Sequence, residues 1–216
     1  MVAFTKSLQL SLSLLASTAV AAPSQMESRA AIASNAVVGF AQAVPSGTVG
    51  DVYLAYKPYL KSHGHCSSSP GQVYVRGAQS GSHYAVMYSW YFPKDEPSTG
   101  IGHRHDWEGV IVWLKSGSAT DASNIVAVCP SAHGKWDCST NGYSLSGTSP
   151  LIKYESVWPL DHSAGLTNEV GGQQPLIAWE SLTDAARTAL TNTDFGAANV
   201  PFKDANFDNN LGKATY

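Results

Sequence analysis

The chain has 216 residues, 44% of them hydrophobic and 10% aromatic, enough to bury a sizeable core in one domain of ordinary size. A formal charge of −3 with no basic stripe argues against nucleic-acid binding. It argues equally against attachment to anionic lipid by bulk charge, so any contact with a membrane must go through a specific head group.

Residues 1–21 read as a secretory signal: Lys6 precedes an apolar run around Leu10–Val20, and Ala19-Val20-Ala21 offers small residues for cleavage. No other window is long and apolar enough to cross a bilayer. The mature chain is therefore expected outside the cell, without N-glycans, since N-x-[ST] does not occur. Residues 22–34 are small and polar and read as a flexible leader, with a single domain over 35–216. Asn35–Ala43 (NAVVGFAQA) reads as a short helix capped by Asn35. Val52–Leu60, interrupted by Pro58, reads as extended. His63, His65 and Cys66 fall in a loop; they could form a soft-metal site, though three ligands are few for one. Val73–Val75 reads as a strand.

His83–Phe92 is the clearest strand, with Tyr84, Val86, Tyr88, Trp90 and Phe92 on one face. After it comes a polar, turn-forming insert, and then a second apolar run at Gly109–Leu114. The insert places Asp95, Glu96, His103, Arg104, His105, Asp106 and Glu108 within 14 positions of a chain that is only 13% charged. Asp95, His103, Asp106 and Glu108 make a hard, mostly oxygen donor set, suited to Mg²⁺ or Ca²⁺ better than to Zn²⁺. Asp106 and Glu108 are two apart and share a strand face. For His103 to reach the same point a turn is needed, which Gly100 and Gly102 permit. Solvated loop charges, with Arg104 pairing one acid, would explain the spacing as well.

Asn124–Cys129 reads as a further strand. Cys129 and Cys138 bracket a loop of the length that a hairpin-closing disulfide staples, which leaves Cys66 free or paired with one of the two. Leu151–Trp158 and Pro175–Trp179 complete a set of short strands. Between them, Trp158 and Asp161 flank a proline at an expected loop tip. An exposed indole beside a carboxylate can hold a sugar, but most tryptophans are core; His162 is similarly placed. Thr183–Leu190 reads as a helix capped by Thr183, and Phe207–Leu211 as a last short helix. Many short strands with few helices indicate an antiparallel β-sandwich with flanking helices.

GHRHDWE (Gly102–Glu108), preceded by MYSWYFPKD (Met87–Asp95), resembles the signature of the necrosis- and ethylene-inducing-peptide-like proteins, secreted cytolysins of plant-associated microbes. SAHG (Ser131–Gly134) and GGQQPLIAWESL (Gly171–Leu182) extend the resemblance over most of the chain after Asn35. It implies a central β-sandwich flanked by helices. It also implies that Asp95, His103, Asp106 and Glu108 bind a divalent cation needed for toxicity, with Arg104 and His105 supporting and Trp107 in the core. Trp158 and Asp161, with His162 beside them, are then implied to engage the sugar head group of glycosyl inositol phosphoryl ceramide, a plant sphingolipid. The segment Ala85–Glu108 matches a peptide pattern sensed by plant pattern-recognition receptors, so a non-cytolytic, immunogenic member is an alternative. One departure is the KPYL segment: the common form carries a cysteine-rich insertion after it, whereas this chain is shorter there and has only Cys66. A metal-dependent hydrolase using His103 or His105 as base is the remaining alternative, unsupported by any G-x-S-x-G or H-E-x-x-H motif. The expected state is a monomer with no catalytic residue.

Overall fold

The structure is a computed structural model that describes residues 33, 36–62, 71–93, 95–98, 101–157 and 161–216, with 95–98, 101–103, 156, 157 and 161 in backbone only. The signal, nearly all of the leader, and His63, His65 and Cys66 lie outside the described residues.

Two faces of one strand explain the architecture. In β3 (His83–Phe92) the even-numbered Val86, Tyr88 and Trp90 are buried in one core, while the odd-numbered Ala85 and Met87 are buried in another. Its neighbour β6 (Asp106–Leu114) is buried at all nine positions. A strand covered on both faces reads as a near-continuous apolar run, and DWEGVIVWL is that run with two acids set into it.

With β2 (Val73–Ser80), β7 (Ile125–Ala132), β8 (Lys135–Trp136) and β12 (Leu176–Ala178), these strands form a six-stranded sheet in the order β12-β2-β3-β6-β7-β8. A smaller sheet joins β1 (Tyr59–Ser62), β10 (Ser149–Val157) and β11 (Asp161–Leu166), with β9 (Leu145–Ser146) paired to β10. The even face of β3 and β6 packs toward this sheet, around Ile152, Tyr154 and Ala164. The opposite face is covered by α2 (Asp184–Asn192), α3 (Phe207–Lys213) and the chain between them, through Leu190, Val200, Phe202, Phe207 and Leu211. A two-stranded hairpin, β4 (Asp95–Ser98) and β5 (Ile101–His103), packs on β11. The expected sandwich with flanking helices is therefore present; most pairs are antiparallel, and β12–β2 and β1–β10 are parallel.

Two local readings are corrected. Val52–Leu60 is not extended throughout: α1 spans Thr48–Ala55, and only Tyr59 and Leu60 are strand. Val52, Tyr53 and Tyr56 are fully buried, and their i, i+1, i+4 spacing is that of a helix face. The aromatic residues and Pro58 obscured it. Among residues 36–43 there is no α-helix. Ala43 instead bridges to Ile177, donating to Leu176 O at 2.8 Å and accepting from Ala178 N at 2.9 Å. The other helices agree with expectation, and Thr183 Oγ1 caps α2 by accepting from Ala186 N at 3.2 Å.

The core is rich in tyrosine, which has a consequence for pH. Burial raises the Tyr53 and Tyr88 phenols well above their ordinary value and pushes Tyr74 up to about 12. Because the unfolded chain releases these protons near pH ~10 and the folded chain only higher, their contribution to stability is intact below that pH. It is lost as pH rises through the folded values. Urea midpoints should be level from neutrality to about pH 9 and fall by about pH 11, together with a rise in tyrosinate absorbance. A level midpoint across that range would contradict the burial of these phenols.

Candidate functional site

Asp106 and Glu108 sit on the β6 face that looks toward the small sheet, in line with Val110 and Val112. They are 8% and 7% exposed. Their Cα atoms lie about 7 Å apart along the strand, and across β3 they pair with Phe92 and Trp90. Two carboxylates so placed, with aromatic neighbours, repel each other and are poorly solvated, an arrangement that favours a cation nearby.

Both acids accept hydrogen bonds from hydroxyls on neighbouring strands. Asp106 Oδ1 accepts from Trp107 N at 2.8 Å, and Oδ2 from the Tyr154 hydroxyl at 3.0 Å. Tyr154 is itself held in an aromatic stack, 3.8 Å from Phe92 and 4.7 Å from His162 between ring centroids, each pair within 8° of parallel. Glu108 Oε2 accepts from Ser131 Oγ, which in turn accepts from Gly109 N at 2.8 Å. Sequence reasoning missed Ser131 and Tyr154. The SAHG match was a signal for the first; nothing local marked the second.

His103 and Asp95 are opposite each other in the β4–β5 register. Their side chains lie outside the described residues, and so does Lys94. Between β5 and β6 the chain turns at Arg104–His105, where His105 has φ 72°. Expectation had placed the turn at Gly100 and Gly102, but Gly102 lies within β5 and Gly100 is outside the described residues. A non-glycine residue in the left-handed region carries strain on the order of 1 kcal/mol or more. Here contacts hold it: the Tyr91 hydroxyl lies 2.5 Å from His105 Nδ1, and the ring packs on Tyr91 and edge-on to Phe195. Trp107, on the opposite face from the acids, is core as expected. Arg104 is exposed.

At the same end of the molecule, β10 and β11 pair down to Val157–Asp161, so residues 158–160 form the connection. The last residue of β10, Val157, is three residues, about 10 Å along the strand, beyond Tyr154. Trp158 lies outside the described residues and Asp161 is described in backbone only. His162 is 6% exposed and lies flat on Tyr154, so its described ring contact is with the stack that holds Asp106.

The β7–β8 hairpin carrying Ser131 turns at His133 (φ 50°) and Gly134 (φ 74°), both in the left-handed region that a two-residue hairpin turn requires. Cys129 and Cys138 form the expected disulfide across it. Their sequence separation of 9 gives a loop-closure contribution of about 2–3 kcal/mol. Reduction should lower the unfolding free energy by that amount in urea titrations, and an unchanged midpoint would show that the bridge adds nothing.

No group of three metal-ligating side chains comes together among the described residues, whose side chains include Asp106 and Glu108 but not Asp95 or His103. The donor chemistry fits a hard divalent cation: buried carboxylates adjacent on one strand, each oriented by a hydroxyl, beside a hairpin whose backbone pairs an aspartate with a histidine.

A mainly β sandwich with a helical cover, and an acidic rim fed by the sequence GHRHDWE, defines a class of microbial toxin fold. The family model for necrosis inducing protein (NPP1) matches residues 47–214, and the chain belongs to that family. It is 41% identical over 216 residues to necrosis-inducing protein NPP1 of Phytophthora nicotianae, covering 86% of this chain and 91% of the relative. The solved structure of NLPPya in complex with glucosamine is 42% identical, with a TM-score of 0.77 over 86% of this chain and 99% of that one. The crystal structure of the non-toxic HaNLP3 protein is 32% identical with the same TM-score, covering 84% and 98%. The fold is thus shared with a non-toxic relative as well as with a structure described as a toxin fold for microbial attack.

Proposed function

We propose that this protein is a secreted cytolysin that recognises the sugar head group of a plant sphingolipid, glycosyl inositol phosphoryl ceramide, and damages the outer leaflet of the host plasma membrane. The observation that carries the reading is the burial of Asp106 and Glu108 side by side at the rim of the sandwich, each oriented by a hydroxyl from a different strand. Asp95, His103, Asp106 and Glu108 would hold Mg²⁺ or Ca²⁺. When bound, the cation supplies a hard positive charge to which sugar hydroxyls are attracted.

The chain's own residues do the rest. Tyr154 and Ser131 fix the two carboxylates, and His162 supports Tyr154 from the other side of the stack. Trp158 and Asp161, at the β10–β11 connection, would cover an apolar sugar face and accept its hydroxyls. The complex of NLPPya with glucosamine supports a saccharide as the ligand class. Recognition followed by membrane damage needs no covalent step, so no catalytic residue is assigned. Detection of the Ala85–Glu108 segment by plant receptors is compatible with this role.

Leakage from vesicles containing the sphingolipid tests the proposal. The wild type should release dye in the presence of the cation, whereas Asp106→Ala and Trp158→Ala should not. Equal leakage from all three proteins would reject the site.

A further inference from the structure

The segment before α1 carries a pattern that the candidate site does not use. Residues 36–50 contain no charged side chain, in a chain that is 13% charged. Ala43 joins this segment to the edge of the large sheet, parallel to β12, on one row with Ile177, Tyr74, Ser89 and Gly109. The parallel pairing fixes its direction. Toward its N-terminus the segment runs beside the starts of β12, β2 and β6, to the end of the sheet that carries Asp106 and Glu108. Phe40 is three residues before Ala43, about 10 Å if extended, just as Asp106 is three before Gly109. The two residues are therefore level, four strand spacings or about 19 Å apart across the sheet. Gly39 presses the segment against the start of β2: an added Cβ would come 2.8 Å from Gly71 O and 2.9 Å from Gln72 Oε1, and Phe40 N donates to that same Oε1. Side chains alternate along an extended chain, so Val38 and Phe40, on either side of Gly39, project outward. They are 84% and 45% exposed.

A third apolar side chain reaches the same end from the small sheet. Gly172 pairs antiparallel with Leu60, donating to Leu60 O at 3.0 Å and accepting from Leu60 N at 2.9 Å. Two residues earlier, Val170 falls opposite Ser62, whose partner in β10 is Tyr154, the residue that bonds Asp106. Val170 is 60% exposed, and the acid next to it, Glu169, is paired with Lys61. From Val170 to Ala178 the chain is again uncharged. Of the other large hydrophobics exposed among the described residues, Val49 and Leu54 belong to α1, and Tyr216 packs on His83 at the opposite end of β3. Val38, Phe40 and Val170 thus stand on two uncharged segments at the level of the acidic rim.

What shares that end decides the occupant. A head group held at the rim brings the protein onto a bilayer surface, and a net charge of −3 adds no bulk attraction to lipid. Uncharged chain bearing Val and Phe is suited to the interfacial layer of a membrane. We propose that Val38, Phe40 and Val170 form an apolar foot that enters the interface of the outer leaflet beside the bound head group. The inference rests on the head-group reading and deepens it: the sugar selects the lipid, and the foot adds a contact with whatever lipid surrounds it. All three side chains are already exposed, so their burial in lipid requires no unfolding.

An environment-sensitive nitrobenzoxadiazole label on Phe40→Cys, Val170→Cys or, as control, Leu54→Cys tests the foot in the full chain with Cys66→Ser. On phosphatidylcholine vesicles containing the sphingolipid, the labels at 40 and 170 should shift to the blue and be quenched by doxyl lipid, and the label at 54 should not. In flotation, V38S/F40S/V170S should need roughly tenfold more lipid than the wild type for half-binding, with its stabilisation by cation unchanged. Its melting curve should match the wild type, and if it unfolds the labels decide. Vesicle binding without a shift at 40 and 170, or equal flotation of the folded triple variant, would overturn the foot. So would a wild type that floats neither with these vesicles nor with plain phosphatidylcholine. A blue shift at 40 that appears in solution and grows with protein concentration would overturn it in favour of an interface between two copies. Equal flotation and equal shifts on vesicles without the sphingolipid would instead reject the head-group reading and leave the foot standing.

Discussion

Replacing Asp106 by asparagine should change stability in opposite directions with and without cation. In chelator, the wild type buries two carboxylates on one strand face, and removing one charge relieves their repulsion. In the substituted amide the oxygen accepts from Trp107 N and the NH2 donates to the Tyr154 hydroxyl oxygen, so both contacts are kept, the second with its direction reversed. The variant should therefore be as stable as the wild type or more stable, by roughly 1 kcal/mol. With Ca²⁺ or Mg²⁺ at a hundred times its dissociation constant, the wild type should gain about 2.7 kcal/mol and the variant almost nothing. Vesicle leakage should fall with it. Thermal unfolding in chelator and in cation reads both arms. A variant that is less stable in chelator and equally stabilised by cation would mean that Asp106 is a structural acid only.

A second large effect is expected one residue beyond Glu108. A Cβ at Gly109 would lie 2.7 Å from Tyr88 O and 2.9 Å from Ser89 Oγ, closer than packed atoms come. Tyr88 is locked in the centre of the sheet, so the overlap cannot be relieved by rotating a flexible side chain. Gly109→Ala should cost about 2–3 kcal/mol in urea unfolding. Because Gly109 N donates to Ser131 Oγ, the partner of Glu108, cation affinity should fall as well. Gly212→Ala is the control: nothing lies within 4 Å of its Cβ, it sits in α3, and it should be neutral or stabilising by up to ~1 kcal/mol. Similar stabilities for the two variants would show that the Gly109 backbone can yield.

These residues also show what was legible before the structure. The even-numbered aromatic face of β3 was readable from strand periodicity, and the disulfide and the Thr183 cap were readable because each joins residues near in sequence. The placement of Asp106 and Glu108 on one face followed from strand periodicity alone. Their partners did not. Ser131 and Tyr154 are 23 and 48 residues away from the acids they bond, and only the register of β6 with β7, and the packing of the small sheet, brings them together. Helix α1 was missed for the opposite reason. Its propensities are indifferent and it has no side-chain cap, so burial of Val52, Tyr53 and Tyr56 decides its conformation. Gly102, expected to permit the turn before Asp106, lies in β5, and Tyr91 and Phe195 hold His105 in the left-handed conformation there.

The most direct measurement is anomalous scattering from crystals grown with Mn²⁺, a hard-cation substitute for Mg²⁺ or Ca²⁺. The prediction is one peak at about 2.0–2.6 Å from oxygen or nitrogen atoms of Asp95, His103, Asp106 and Glu108 together. A map with no peak there, and with Asp95 and His103 turned toward solvent, would contradict the cation site and the sugar recognition built on it.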